Sequence, residues 1–393
     1  MLEISVPVTD VDPFESDVIL NSLDIMRREL EPAPILWLEK YGVYVTGRYD
    51  ITQAMLKDWK NFTSTVKAFG NRDFIRPLMV QEDPPDHSAH RNEMMKMFSP
   101  VALRDYEEYF NQQAEIMADE IVAKGEVEAI ADIASRFVLK VFPDILGVSE
   151  TMDRQMLLPW GELSFNSTVP GSRLYKENLE RAGHTIQWFQ DEMRRENVNP
   201  DKMIGQIYKL GDEGRLTPEE AAVMVIVVFS AGFDTSVLAI GNGLKYLAEH
   251  PDQWDMIREN PRLVRTAFEE TIRMDPPSRL LGRGVNEDME FHGVQLKKGD
   301  KIATFLGVAN RDPAAWEDPD TFKVDRKRVM GHTSFGVGIH ACAGQALARM
   351  EFAAIVGALA KRVKRIELTG ECTRKLNNQA CGWDRVPLKL HPA

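Results

Sequence analysis

Residues 217–250 read TPEEAAVMVIVVFSAGFDTSVLAIGNGLKYLAEH. Thr217 is a good helix N-cap, Pro218 suits the first helical position, and Glu220 completes a capping box. Pro251 ends the pattern. The helix is about 48 Å long at roughly 1.5 Å per residue. Its uncharged run, Ala221 to Phe233, lies between Glu220 and Asp234. A bilayer span needs about 20 apolar residues, so this run belongs to a core helix. The centre is apolar on every face, which predicts a helix running through the middle of the protein. Gly232, Asp234 and Thr235 stand out there. Gly costs about 1 kcal/mol against Ala in a helix, and a buried carboxylate must be paired or protonated.

Working outward, helical patterns are predicted over 100–124, 131–146 and 174–197. Strand-rich runs occur at 35–47 around Gly42, at 290–304 around Gly293, and at 381–390. Strands toward both ends with helices between predict a mainly α chain with small β-sheets, an α+β plan. No repeat or low-complexity linker interrupts it, so residues 1–393 read as one domain, β-rich near 35–48, 283–305 and 366–393. With 393 residues and 44% apolar content the chain is not disordered. Its net charge of −12 argues against nucleic-acid and anionic-membrane binding. Cys342, Cys372 and Cys381 form neither a disulfide framework nor a zinc pattern. The N-terminus lacks a basic n-region. A reducing cytoplasm is the expected location.

The second informative stretch is 335–344, FGVGIHACAG, followed by an Ala- and Leu-rich helical pattern. Cys342 thus sits just before a helix N-terminus, where the macrodipole and free N–H groups favour a thiolate. Gly336, Gly338 and Gly344 clear both sides, allowing a flat group to approach the sulfur. An axial cysteine of haem needs such a place; a buried structural cysteine in a glycine-rich turn would read the same. The GxGxxA match from Gly336 to Ala341 is not a nucleotide fingerprint, because the preceding KVDRKRVMGHTS is no buried strand. Glu270 and Arg273, three apart in AFEETIRMDPP, share a helix face and can pair, usually as a solvated contact. His87 and Arg91, four apart, Arg283 and His340 each read singly as a surface or satisfied polar residue; together with Cys342 they would supply donors for two carboxylates on a planar ligand.

These residues carry a resemblance to the bacterial cytochrome P450 family over nearly the whole length. FGxGxHxCxG is complete at 335–344, ExxR falls on Glu270 to Arg273, and Ala231-Gly232-Phe233-Asp234-Thr235 is similar to the family's acid–alcohol pair. FHGVQLKKGD at 291–300 and Asn310-Arg311-Asp312-Pro313 resemble further family segments, and Arg326 in FKVDR is the implied third partner of ExxR. The chain most resembles soluble members that oxidise camphor-like terpenoids or para-substituted benzoates. The terminal RKLNNQACGWDRVPLKLHPA is similar to the benzoate group, although Ile226 and Val227 stand where that group has a basic residue.

The resemblance implies the P450 fold, with the long helix over a haem b and the cysteine loop beneath it. It implies Cys342 as axial thiolate and metal ligand, and Phe335, Gly336, Gly344 and Ala231 against the cofactor. His87, Arg91, Arg283 and His340 would hold it. Thr235 would act in oxygen activation and order a water, Asp234 would pass protons inward, and Ala231 and Gly232 would leave room for oxygen. Pocket candidates are Phe69, Phe74, Phe165, Val228, Ser230, Leu280 and Leu281; Lys67, Arg72 and Arg76 would meet an anionic substrate or water. The implied activity is insertion of one oxygen atom from O2 into a C–H bond of a small organic substrate, by hydroxylation or oxidative O-demethylation. Electrons would come from NAD(P)H through a ferredoxin reductase and an iron–sulfur ferredoxin. A peroxide-using peroxygenase and a non-catalytic haem-based ligand-binding protein are the alternatives. A monomer is expected, with no membrane or nucleic-acid partner. The basic residues Arg326, Lys327, Arg328, Arg349, Lys361, Arg362, Lys364 and Arg365 mark an expected ferredoxin face.

Overall fold

The computed structural model describes residues 6–70 and 78–393. The central helix runs Pro218–Glu249. Thr217 Oγ1 accepts from Glu220 N at 3.1 Å and Glu220 Oε2 accepts from Thr217 N at 2.7 Å, so the capping box forms as its residues dictate. By length and composition this helix could cross a membrane, but 72% of its most apolar window is buried inside the protein. Around it pack the helices Arg136–Leu146, Leu157–Asn166, Met203–Asp212, Leu263–Met274 and Gln345–Ala360. Three glycines of the central helix let neighbours onto its backbone. A Cβ on Gly232 would meet Phe142, one on Gly241 would meet Ile130, and one on Gly243 would meet Phe352, each within 2.4 Å.

Two predicted helices are subdivided. The 131–146 pattern is a π-helical stretch, Ala129–Ser135, that continues as Arg136–Leu146; its Ile130 occupies the gap left by Gly241. The 174–197 pattern is two α-helices, Arg173–Ala182 and His184–Glu192, followed by a 3-10 turn. The break falls at Gly183, where Ile186 N donates to Gly183 O in a tightened turn.

Most of the β-structure falls in the three expected stretches, and Glu126–Glu128 adds a strand outside them. Leu36–Leu38 and Val43–Thr46 pair antiparallel around Gly42, whose φ is +59°. Lys301–Phe305 joins Val43–Thr46 in parallel and Leu280–Val285 in antiparallel register. Met289–Phe291 and Val294–Leu296 form a hairpin at Gly293, φ +82°. Pro387–Pro392 lies between Val363–Leu368 and Glu126–Glu128. Strands too short for a sequence pattern, Val8–Thr9 and Phe62–Thr63, form the outer edges of the six-stranded sheet.

Candidate active site

The cysteine loop is shaped by two left-handed residues, Gly336 at φ +65° and Gly338 at φ +75°. At Gly338 a Cβ would also lie 2.8 Å from Leu56 O, so this glycine admits the Tyr49–Lys57 helix. Gly344, by contrast, has open space around it. Cys342 N donates to Phe335 O at 2.8 Å, closing the loop just before the Gln345–Ala360 helix. Burial pushes the Cys342 thiol up. The backbone N–H groups of Gly344 and Gln345 and the charges of Arg91 and Arg349 oppose that shift, and a metal at the sulfur would complete ionisation.

Beside this loop the structure gathers the four expected donors. Arg91 donates from Nη2 to Ala341 O, next to the cysteine. The His87 ring, on the Asp86–Met97 helix, stands 4.3 Å from the His340 ring. Among the described residues, both His87 nitrogens and His340 Nε2 are buried without a hydrogen-bond partner. Buried Arg283 donates from Nη1 to the adjacent Gly282 O at 2.9 Å. Burial, then the charges of Arg283, His87 and Lys67, push His340 down to about 3. Asp83 Oδ1 stands 4.0 Å from His340 Nε2, beyond hydrogen-bond reach, so this cationic and imidazole cluster keeps donors for the two acidic arms of a planar ligand. On the central helix Ala231 is exposed and Gly232 and Thr235 are half-exposed, although the residues around them are buried. The donor set, the cysteine and this opened helix face fit haem b.

Thr235 Oγ1 donates to Ala231 O at 2.8 Å. Asp234 lies one position earlier, roughly 100° around the helix, 4% exposed and with Oδ2 unpartnered. Burial pushes its carboxyl up to about 6, so it can exist in both protonation states near neutrality. Gly232 needs a different explanation from the expected room for oxygen, because the space of its missing side chain is taken by Phe142.

The Glu270–Arg273 pair is not a surface contact. Both side chains are 0% exposed. Arg273 donates to both Glu270 oxygens at 2.7 and 2.8 Å and to the carbonyls of Asn310 and Pro319. Arg326 Nε adds bonds to Glu270 at 2.9 and 3.0 Å. The three side chains clamp the Leu263–Met274 helix to the 310–326 segment.

The pocket candidates are not brought together. Phe69 packs edge-on to Phe14 and Tyr41, in the cluster that includes Leu280, whereas Leu281 packs with a different cluster. Val228 is in the main core, Phe165 packs with Leu238 and Ala380, and Ser230 Oγ donates to Ile226 O. Alternation along Leu280–Val285 sends Leu280 and Leu281 to opposite faces. Phe74, Arg72 and Arg76 lie outside the described residues. Lys67 Nζ donates to Val80 O at 3.1 Å.

The expected basic face is also largely consumed. Arg349 is held by Glu269, with Nε to Oε1 at 2.5 Å, and stacks on Phe335. Arg326 serves Glu270, Lys361 and Arg362 pair with Glu115 and Asp119, and Arg365 pairs with Glu367. Apart from Arg365–Glu367, these pairings span up to 247 positions, so no local pattern announces them. Glu269 also bonds His332 at 2.9 Å, and Ser236 donates to buried Glu351. Glu351 had a usable signal: it is a carboxylate in a helix that is otherwise mostly apolar, as Asp234 is.

The family profile "Cytochrome P450" matches residues 173–379. The chain is 36% identical over 99% of its length to "Cytochrome p450 CYP199A2" of Rhodopseudomonas palustris, covering 95% of that protein. It is 32% identical over 84% of its length to "Biotin biosynthesis cytochrome P450" of Bacillus subtilis, covering 86% of it. Among solved structures, P450BioI in complex with an acyl carrier protein superposes with a TM-score of 0.84 at 28% identity, covering 96% of this chain and 100% of that one. With the cysteine loop, the donor set and the buried acid beside Thr235 already in place, this chain belongs to the cytochrome P450 family: it is a monooxygenase whose cofactor is haem b.

Proposed function

We propose that the enzyme inserts one oxygen atom from O2 into a C–H bond of a small organic molecule, giving R–OH and one water for two electrons and two protons. If the oxidised carbon is the methyl of a methoxy group, the R–O–CH2OH hemiacetal collapses to R–OH and formaldehyde. Haem b supplies the oxygen and redox chemistry when bound. Cys342 would supply the sulfur that holds its iron, with the Gly344 and Gln345 N–H groups stabilising negative charge there. Arg91, Arg283, His87 and His340 would hold its carboxylates. Thr235 orders water on the opened helix face. Asp234 holds and releases the proton, and its buried, unpartnered Oδ2 is the observation that carries this reading. A carboxylate left so is costly unless it works. Electrons come from NAD(P)H through a ferredoxin reductase and a ferredoxin to a monomer in the cytoplasm.

The test reconstitutes the holoenzyme with a ferredoxin and its reductase. Compounds that shift the Soret band toward high spin will stimulate NADH use and yield oxygenated product. Cys342→Ser will lose the thiolate-type band of the reduced CO complex, while Cys372→Ser and Cys381→Ser keep it. Product formed only from added peroxide would overturn the oxygen-dependent reading.

A further inference from the structure

Asp234 is reached from outside by a cleft of about 1520 Å³, bounded by the Pro100–Lys124, Arg136–Leu146 and Leu157–Asn166 helices and the strand Trp383–Arg385. Its lining runs from exposed Glu120, Lys140 and Arg181 to buried Asp234. Among the described residues, its lining includes neither Cys342 nor Thr235.

Two observations fix the carboxylate. Oδ2 has no protein partner. A Cβ on Gly161 would lie 2.5 Å from Oδ2 and 2.9 Å from Oδ1, so the carboxylate rests on bare backbone where any larger residue would displace it. The charged groups lining the cleft near this seat come from three elements. Glu162 follows Gly161 and is ion-paired to Arg181; Lys375 lies just after the strand Thr373–Arg374; Asp384 is on Trp383–Arg385. The two that act on Asp234 do so in opposite senses: Lys375 favours the ionised carboxylate and Glu162 disfavours it, with burial outweighing both.

We propose that this cleft is the proton inlet, that Gly161 is the seat of the Asp234 carboxylate, and that Lys375 and Glu162 are opposed positioning residues that set its charge. The proposal rests on the reading of Asp234 as proton donor. Asp234 gives a proton inward and takes one from cleft water, so it ends each transfer as it began. The electrons and O2 are those of the monooxygenase reaction.

The test follows the protonated Asp234 carboxyl by infrared difference spectroscopy of the substrate-free holoenzyme against pH, with Asp234→Asn identifying the band. Lys375→Met is expected to raise the midpoint and Glu162→Gln to lower it, each by about half a pH unit or more. Release of Arg181 from Glu162 acts in the same direction as the loss of the carboxylate. The pH midpoint of coupled product formation will move with each. Gly161→Ala will increase the solvent isotope effect and lower coupling while leaving the CO band and the substrate-induced spin shift intact. Midpoints that stay fixed, or move the same way in both variants, overturn the positioning roles. Carboxyl midpoints that move while the turnover profile does not overturn the donor reading, and with it the inlet.

Discussion

Glu351 shows how one buried side chain makes stability depend on pH. It lies on the Gln345–Ala360 helix, 1% exposed, accepting from Ser236 through one oxygen while the other has no partner. Burial pushes its carboxyl up to about 8. The folded protein therefore keeps a proton that the unfolded chain loses near pH 4.5. Between these values stability falls as pH rises, by at most about 1.4 kcal/mol per pH unit from this group. Glu351→Gln keeps the shape and removes the titration. Relative to wild type, its holoprotein will gain thermal stability between pH 5 and pH 8, read from unfolding midpoints at the two values. An unchanged difference would mean that Glu351 is already ionised in the fold. Thr235→Ala belongs to the same scale. Its hydroxyl bonds only Ala231 O within the helix, so its loss will spare folding and the CO band. Product per NADH will fall several-fold, measured as coupling with a fixed substrate.

Among elements, the Leu263–Met274 helix depends most on a few bonds. Arg273, itself out of water, makes a two-point contact with Glu270 and reaches three carbonyls of the 310–326 segment. Arg273→Lys keeps the charge but loses the planar fork. Breaking a buried pair costs about 3–5 kcal/mol, so the variant will lose haem on purification and unfold at clearly lower denaturant. Retention of wild-type haem content would show that the clamp is dispensable. The clamp also shows what sequence could reveal. Glu270 and Arg273 are three apart and Cys342 sits within its own motif, so local spacing exposes both. The long helix was legible because its caps and its all-round apolar face are local as well. The break at Gly183 and the π-helical turn at Ala129–Ser135 were not, because a periodic apolar pattern survives both. Gly161 was silent for another reason: its role is the nearness of Asp234, 73 positions on. The described pocket candidates fall in separate clusters for a similar reason: strand alternation and tertiary packing decide where each side chain points.

For the whole molecule, electron delivery turns on which charges the fold leaves free. The acidic chain has a basic sequence cluster around Cys342, but Arg326, Arg349, Lys361 and Arg362 spend their charge on Glu270, Glu269, Glu115 and Asp119. Lys327 and Arg328 remain exposed, with exposed Met330 beside them, on the segment that leads directly into the Phe335–Cys342 loop. Two cations around an apolar residue suit a small acidic electron carrier, because charge steers the encounter and Met supplies contact area. The Lys327→Glu, Arg328→Glu double variant is therefore expected to raise the ferredoxin dissociation constant about tenfold at low salt. Screening over about 8 Å at physiological ionic strength will shrink that difference. The first electron-transfer rate at subsaturating ferredoxin will follow it, while the substrate-induced spin shift stays as in wild type. Arg349→Ala will behave differently. It strips a buried carboxylate of its guanidinium and unstacks Phe335, so it will lower thermal stability and loosen the cysteine loop before it affects docking. A charge-reversed pair with normal ferredoxin affinity at low salt would place the docking surface elsewhere on the molecule.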